Sequence, residues 1–220
     1  MFAAVRQMIQ NMRPRPTDEE TLTKEGHREF VGGFWDVMGK LQFDFLVKQG
    51  LRPNHVFLDI ACGSLRAGRL LIPYLAAGNY LGIDKHAEVI EAGKAKEVDP
   101  NVLKFRHPEF VVSDSFEFEK FSKQPDFCIA QSLFTHLRKR EIELCFTKLS
   151  AVVKPGCRFF ATFAEASIPI PQVASSHSVR SFFYTRRVME VFGRRSGWEP
   201  RYIGNWGHPR GQVMIEYVKR

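Results

Sequence analysis

Short apolar runs bounded by turn residues alternate with longer amphipathic stretches, and that alternation predicts an α/β protein. Val56–Ile60, Tyr80–Ile83, Phe110–Val112, Phe127–Ala130 and Cys157–Ala164 read as buried strands. Between them, Leu65–Leu75, His86–Glu97 and Glu141–Val153 carry apolar residues at helical spacing, the second closed by Asp99-Pro100. Strands that alternate with helices predict a largely parallel sheet covered on both faces. After the fifth run, residues 165–180 (EASIPIPQVASSHSVR) have no period and two prolines, which predicts an insertion on the ligand side. Thr185–Arg195 then reads as a helix, and Tyr202–Ile203 and Val213–Val218 as closing strands joined by Gly207-His208-Pro209-Arg210-Gly211.

Residues 18–50 read as helical. Asp18, Glu19 and Glu20 mark a start, Phe34, Met38, Leu41 and Phe45 recur at three- and four-residue spacing, and Gly32-Gly33 interrupts the pattern. Two helices bent at those glycines would cover a ligand, with His27 and Trp35 near the bend. The chain divides on this reading into an N-terminal helical extension or lid, residues 1–50, and a ligand-binding domain, residues 51–220.

A length of 220 residues suits one domain with a sizeable core. No apolar run approaches the ~18 residues of a membrane span, and the first residues lack the apolar core and cleavage site of a secretion signal. Phe2, Val5, Met8 and Met12 would share one face of a short helix. The cysteines, at 62, 128, 145 and 157, form no CxxC pair and no metal-ligand spacing. Reduced core thiols, a cytoplasmic location and no metal are the expectations. The net charge of +8 is uneven: residues 168–220 hold nine Lys/Arg against three acids. Such a segment predicts either an anionic partner, such as a sugar phosphate, an acidic glycan or a nucleic acid, or a solvated basic face.

The chemistry concentrates in Val56–Asp84. The turn Ala61-Cys62-Gly63-Ser64 is made of small residues that let a ligand approach the backbone, and it leads into a helix start that favours anionic groups. Asp84 ends the second strand, where a carboxylate can accept from the two hydroxyls of a ribose. A dinucleotide fingerprint centred on Gly63 would need glycines where Ala61 and Arg66 stand, and a ligand-free packing turn is the remaining alternative.

From these residues the chain resembles the class I S-adenosylmethionine-dependent methyltransferases, whose first motif is an acid followed two residues later by a GxGxG-type turn. Asp59 and Ala61-Cys62-Gly63-Ser64-Leu65 fill those places, with Ala61 and Leu65 standing where the motif has its outer glycines. The string ACGSLRAG followed by YLGID resembles a bacterial subset whose turn reads CGSLRGG. The resemblance implies a single-domain, seven-stranded, mostly parallel sheet with an antiparallel last strand, helices on both faces and an N-terminal helical cap. It implies S-adenosylmethionine as cofactor, held by Asp59, Ala61, Cys62, Gly63, Ser64, Leu65, Asp84 and Lys85, by Asp114, Ser115 and Phe116 after the third strand, and by Gln131 and Ser132 after the fourth. Arg66 and Arg69, in the helix after the turn, are candidates for the methionine carboxylate, with packing or a surface ion pair as the alternative.

The loop Gln131-Ser132-Leu133-Phe134-Thr135-His136-Leu137 contains S-x-F-T-H-L, frequent in the resembled family. His136 is the candidate general base for a hydroxyl acceptor; Glu165 and His177 are weaker alternatives, and Tyr184 a candidate for positioning substrate. No [DN]-P-P-[FYW] string and no Pro-Cys dipeptide occurs, and Asp126 lacks the second acid and Asn of the metal-dependent catechol branch. These observations point to O-methylation of a small or glycan-like acceptor. RNA methylation, with its steep salt dependence, and cofactor binding without catalysis are the alternatives.

Overall fold

The computed structural model describes residues 24–170 and 181–220. The expected helix start at Asp18–Glu20, the apolar face of the first residues and most of the 165–180 insertion, His177 included, lie outside them. Two helices, α1 (Lys24–Phe30) and α2 (Trp35–Lys48), precede β1 (Phe57–Ile60), and the chain continues as α3 (Gly68–Tyr74), β2 (Tyr80–Asp84), α4 (Ala87–Glu97), α5 (Pro100–Arg106), β3 (Glu109–Val112), β4 (Phe127–Ala130), α6 (Lys139–Val152), β5 (Arg158–Glu165), β6 (Phe183–Tyr184), α7 (Arg186–Arg195), β7 (Trp198–Asn205) and β8 (Val213–Lys219). The strand order is β3-β2-β1-β4-β5-β8-β7, with β6 paired to the end of β5. All pairings are parallel except those of β8 with β5 and β7. Seven strands and the reversed last one are as expected; the two-residue β6 is the addition.

Alternation along the strands builds two cores. Leu58 and Ile60 of β1, Cys128 of β4, Phe159 of β5 and Tyr217 of β8 face α6 and α7. Phe57, Ile129, Phe160 and Met214 face the other way, with Met38 and Leu46 of α2 and Leu71 and Ile72 of α3. The apolar side of α2 is thus part of the core beside the sheet.

Two departures from the sequence reading have local causes. The helix read over His86–Glu97 does end at Glu97, but Asp99 also opens a further helix: its side chain accepts from the Asn101 amide 2.7 Å away and caps α5, with Pro100 in the first turn where no amide hydrogen is needed. Strand β7 is eight residues rather than the two of Tyr202–Ile203, because it is an edge strand and tolerates Pro200, which interrupts the apolar pattern.

Candidate active site

The strand order reverses between β1 and β4, so the loops leaving their carboxyl ends open a crevice. Beyond Ile60 the backbone is left-handed at alternate residues, with φ of 61° at Ala61, 55° at Gly63 and 64° at Leu65. A left-handed residue has no place in a right-handed helix, which is why α3 begins at Gly68 instead of Leu65. Gly63 is required twice over: its φ disfavours a side chain, and a Cβ there would sit 2.7 Å from Val31 Cγ1. Gly93 of α4 seats that helix directly on the turn, since a Cβ would lie 2.5 Å from the Ser64 carbonyl.

Ala61 holds a glycine conformation at about 1–2 kcal/mol, partly offset by the lower chain entropy of Ala in the unfolded state. Ala61→Gly is therefore expected to stabilise the protein by about 0.5–1 kcal/mol, read as a higher urea midpoint at unchanged m; a lower midpoint would contradict the strain argument.

Asp59 stands behind the turn. It is 4% exposed and accepts from Tyr80 Oη at 2.9 Å, joining β1 to β2. Burial raises its carboxyl to about 7, opposed by the Tyr80 hydrogen bond, reinforced by the Asp84 charge and opposed by Arg66. The unfolded chain gives up this proton near pH 4, so the group costs stability progressively as pH rises from about 4 to about 7. Asp59→Asn removes that cost. Its stability relative to the parent should rise between pH 5 and pH 8 in urea titrations, and a fall over that interval would refute the assignment.

Cys62, 6% exposed, is a core thiol whose ionisation burial pushes well up, with Asp84 and Asp59 adding to the effect. Ser64 is fully buried and donates to the His27 carbonyl at 3.3 Å. Asp84 is half-buried at the crevice: Oδ2 accepts from Gly63 N at 2.9 Å and Oδ1 from His86 N at 3.0 Å. Lys85, beside it, is half-buried. After β3, Ser113 Oγ accepts from the Ser115 and Glu117 amides at 3.2 and 3.3 Å, shaping a loop with Asp114 exposed at its tip. Phe116 there is left-handed at φ 59° and packs on Phe118, and Ser132 after β4 is left-handed at the same φ. Strained non-glycine residues thus stand in the loops after β1, β3 and β4, the distribution expected of a ligand site. His136, half-buried, ends a 3₁₀ turn at Phe134–His136 on the β4 loop.

Other candidates fall elsewhere. Arg69 pairs with Asp36 of α2 at 2.6 Å, beside Trp35. Tyr184 is 3% exposed and its hydroxyl donates to the Leu137 carbonyl. Glu165 accepts from Tyr202 Oη at 2.6 Å.

The structure adds a group that sequence reading missed. His208, 7% exposed in the β7–β8 connection, has Nε2 3.1 Å from Gln131 Nε2, and its Nδ1 accepts from Arg210 N at 3.1 Å. Burial, then the charges of Arg66 and Arg210, lower its imidazole to about 4, so the ring is neutral at physiological pH. Gln131 also accepts from Arg66 Nη2 at 2.6 Å and donates to Ser132 Oγ at 2.6 Å, while Gln212 accepts from Ser132 Oγ and Thr162 Oγ1 at 3.1 and 2.8 Å. The only local signal was a His and an Arg between two turn glycines.

The bend between α1 and α2 lies over this edge. Arg66 Nη1 donates to the carbonyls of Val31 at 3.2 Å and Gly33 at 2.8 Å, Arg210 Nη2 donates to that of Gly32 at 2.6 Å, and Phe30 meets the His86 ring edge-on. The carboxylate of Glu97 on α4 takes a two-pronged hydrogen bond from Arg28 at 2.8 and 2.9 Å and lies 3.2 Å from His27 Nε2. Among the described residues no cluster of three His, Cys, Asp or Glu has a metal-holding arrangement, and no helix is long and apolar enough to cross a membrane.

Residues 58–159, from β1 into β5, match a family model described as a methyltransferase domain. Solved methyltransferase structures share the fold across most of this chain's length. Magnesium protoporphyrin IX methyltransferase from Synechocystis PCC 6803, with bound S-adenosylmethionine, is 18% identical at a TM-score of 0.61, over 84% of this chain and 82% of that one. Human N-acetylserotonin methyltransferase, also with S-adenosylmethionine, is 12% identical at a TM-score of 0.67, over 92% of this chain and 56% of that one. A glycopeptide N-methyltransferase complexed with S-adenosylmethionine is 14% identical at a TM-score of 0.64, over 85% and 96%.

Proposed function

We propose that this methyltransferase takes its methyl group from S-adenosylmethionine and delivers it to an oxygen of a small or glycan-like acceptor. The observation that carries the reading is the crevice edge itself: a glycine turn after β1, a carboxylate ending β2, and strained loops after β3 and β4, all facing one opening. These residues fit the cofactor. Asp84 would accept from the ribose hydroxyls, Asp114 and Phe116 would meet the adenine, and Ala61–Leu65 would let the chain approach the amino-acid end. The cofactor supplies an activated methyl on a sulfonium.

The protein's part is alignment, worth up to ~7–11 kcal/mol in ideal intramolecular models, together with a base for the acceptor proton, a role we give to His136 on the loop after β4. The segment before β1 serves as a lid, because the carbonyls of its Gly32-Gly33 bend are held by Arg66 and Arg210 beside the turn. The similar proteins act on a porphyrin, on N-acetylserotonin and on a glycopeptide nitrogen by their names, so the oxygen rests on this chain's own loop sequence.

The basic C-terminal segment is the observation on the side of RNA, the second reading. Arg186 and Arg194 share Glu190, Arg201 lies by Glu216 and Arg220 pairs with Glu199, all acids of the segment itself, and Glu143, paired with Arg195, is the one acid in these pairs from outside it, so the segment keeps a positive excess that salt-dependent RNA binding would use. The test is transfer of a labelled methyl group to a panel of hydroxylated small molecules, oligosaccharides and RNA, with the parent protein and His136→Asn. Label on a hydroxyl compound, lost in the variant while S-adenosylhomocysteine still binds, is the expected result. Salt-sensitive labelling of RNA alone would displace the reading.

A further inference from the structure

Arg66 is 8% exposed yet pairs with no carboxylate among the described residues; its guanidinium donates to three neutral oxygens, and its buried Nε has no hydrogen-bond partner among those residues. Arg210 is likewise without a carboxylate partner, and the charges of Arg66 and Arg210 oppose each other. The acids that act on them, Asp59 on Arg66 and Glu29 on Arg210, do so through space, without an ion pair. Two guanidiniums gathered beside a buried imidazole, with no carboxylate of a described residue in contact, are costly unless an anion completes the group.

The hydrogen-bond count leads to the same place. Because Nδ1 of His208 accepts from the Arg210 amide, the neutral ring carries its proton on Nε2, which faces the Gln131 amide nitrogen, another donor. Turning the Gln131 amide over satisfies His208 but sets its nitrogen against Arg66 Nη2. Moving the ring proton to Nδ1 sets it against the Arg210 amide. Every arrangement leaves one donor facing another, so the cluster lacks an acceptor.

We propose that Arg66, His208 and Arg210 form a binding site for an oxyanion group, carboxylate or phosphate, carried by the methyl acceptor. The inference rests on reading the crevice as a methyl-transfer site. The cluster stands over the ends of β4 and β5 and the β7–β8 connection, through Gln131, Thr162 and Gln212, and so on the opposite side of β1 from Asp84 and Asp114 on the β2 and β3 loops. Arg66 supplies a planar fork with Nε still available, which suits a carboxylate or phosphate. Arg210, Gln131 and Ser132 are half-buried, so part of the cluster is accessible from outside.

The test follows the His208 ring by NMR while sodium phosphate, and separately sodium acetate, replaces sodium chloride at constant ionic strength. A saturable shift with a millimolar midpoint, weakened about tenfold in Arg210→Gln, supports the site; a linear shift, or one unchanged in the variant, overturns it. If Arg210→Gln does not fold, Arg210→Lys, which keeps the charge and loses the fork, takes its place with the same readout. Calorimetry with S-adenosylhomocysteine separates the two sources of oxyanion. Unchanged affinity in the variant assigns the site to the acceptor, whereas a tenfold loss assigns it to the cofactor's own carboxylate and overturns the proposal. Failure of the parent protein to bind S-adenosylhomocysteine would defeat the methyl-transfer reading by itself, whatever phosphate does.

Discussion

Asp84→Ala is expected to weaken binding of S-adenosylhomocysteine by about 10- to 100-fold, from the ~1.5–3 kcal/mol of hydrogen bonds to a charged group. The carboxylate ends β2 at the crevice and already organises it, taking Gly63 N on one oxygen and His86 N on the other. Its removal takes away both the acceptor proposed for the ribose and the clamp that holds the turn. Asp84→Asn should be nearly as damaging. Both oxygens face amide hydrogens, so either orientation of an asparagine amide sets its nitrogen against a donor. Calorimetry on the two variants, with circular dichroism to confirm folding, checks this; affinity within twofold of the parent for a folded Asp84→Ala would remove Asp84 from the cofactor site.

The largest effect on stability is expected from Glu216. This residue of β8 is 1% exposed; Oε1 takes Arg158 Nη2 at 2.5 Å and Nε at 2.6 Å, and Oε2 lies 3.4 Å from Arg201 Nε. Arg158 continues to Gln49 just beyond α2, and its guanidinium lies over the rings of Phe127 and Phe160. The pair therefore ties the end of α2 to the sheet. Glu216→Ala leaves the part-buried Arg158 without its counter-charge, and breaking such a pair costs about 3–5 kcal/mol. Urea denaturation should show that loss, with Glu216→Gln falling between because one acceptor remains. A change below 1 kcal/mol would mean that Arg158 re-solvates freely and that α2 is anchored by its apolar face alone.

The fold was legible because its strands are short, apolar and separated by helical periods. β4 was read to the residue, Phe127–Ala130, and the Gly32-Gly33 break falls between α1 and α2. The boundaries that moved did so for reasons periodicity does not carry. The start of α3 was delayed by the left-handed Leu65, α5 was disguised by an Asp-Pro pair that caps as well as stops, and β6 is two residues long.

The candidate site was legible only in part. Gly63 and Asp84 are local signals, one a small-residue turn and the other an acid at a strand end, and they meet at 2.9 Å. Asp59 was grouped with the cofactor residues from the motif, whereas the fold sets its side chain on Tyr80. The Arg66–Gln131–His208–Arg210 cluster was not visible, because its contacts join residues 65 and 77 positions apart, and Arg210 reaches 178 positions back to Gly32 as β7–β8 folds over the α1–α2 bend. No one-dimensional period encodes that contact.

The central claim, that this protein uses S-adenosylmethionine, is tested most directly by calorimetric titration of S-adenosylmethionine and S-adenosylhomocysteine into the purified protein, with NAD as the control. The account predicts saturable binding of both sulfur compounds in the micromolar range and no heat of binding from NAD. Absence of binding by either sulfur compound, or equal binding of NAD, would contradict it.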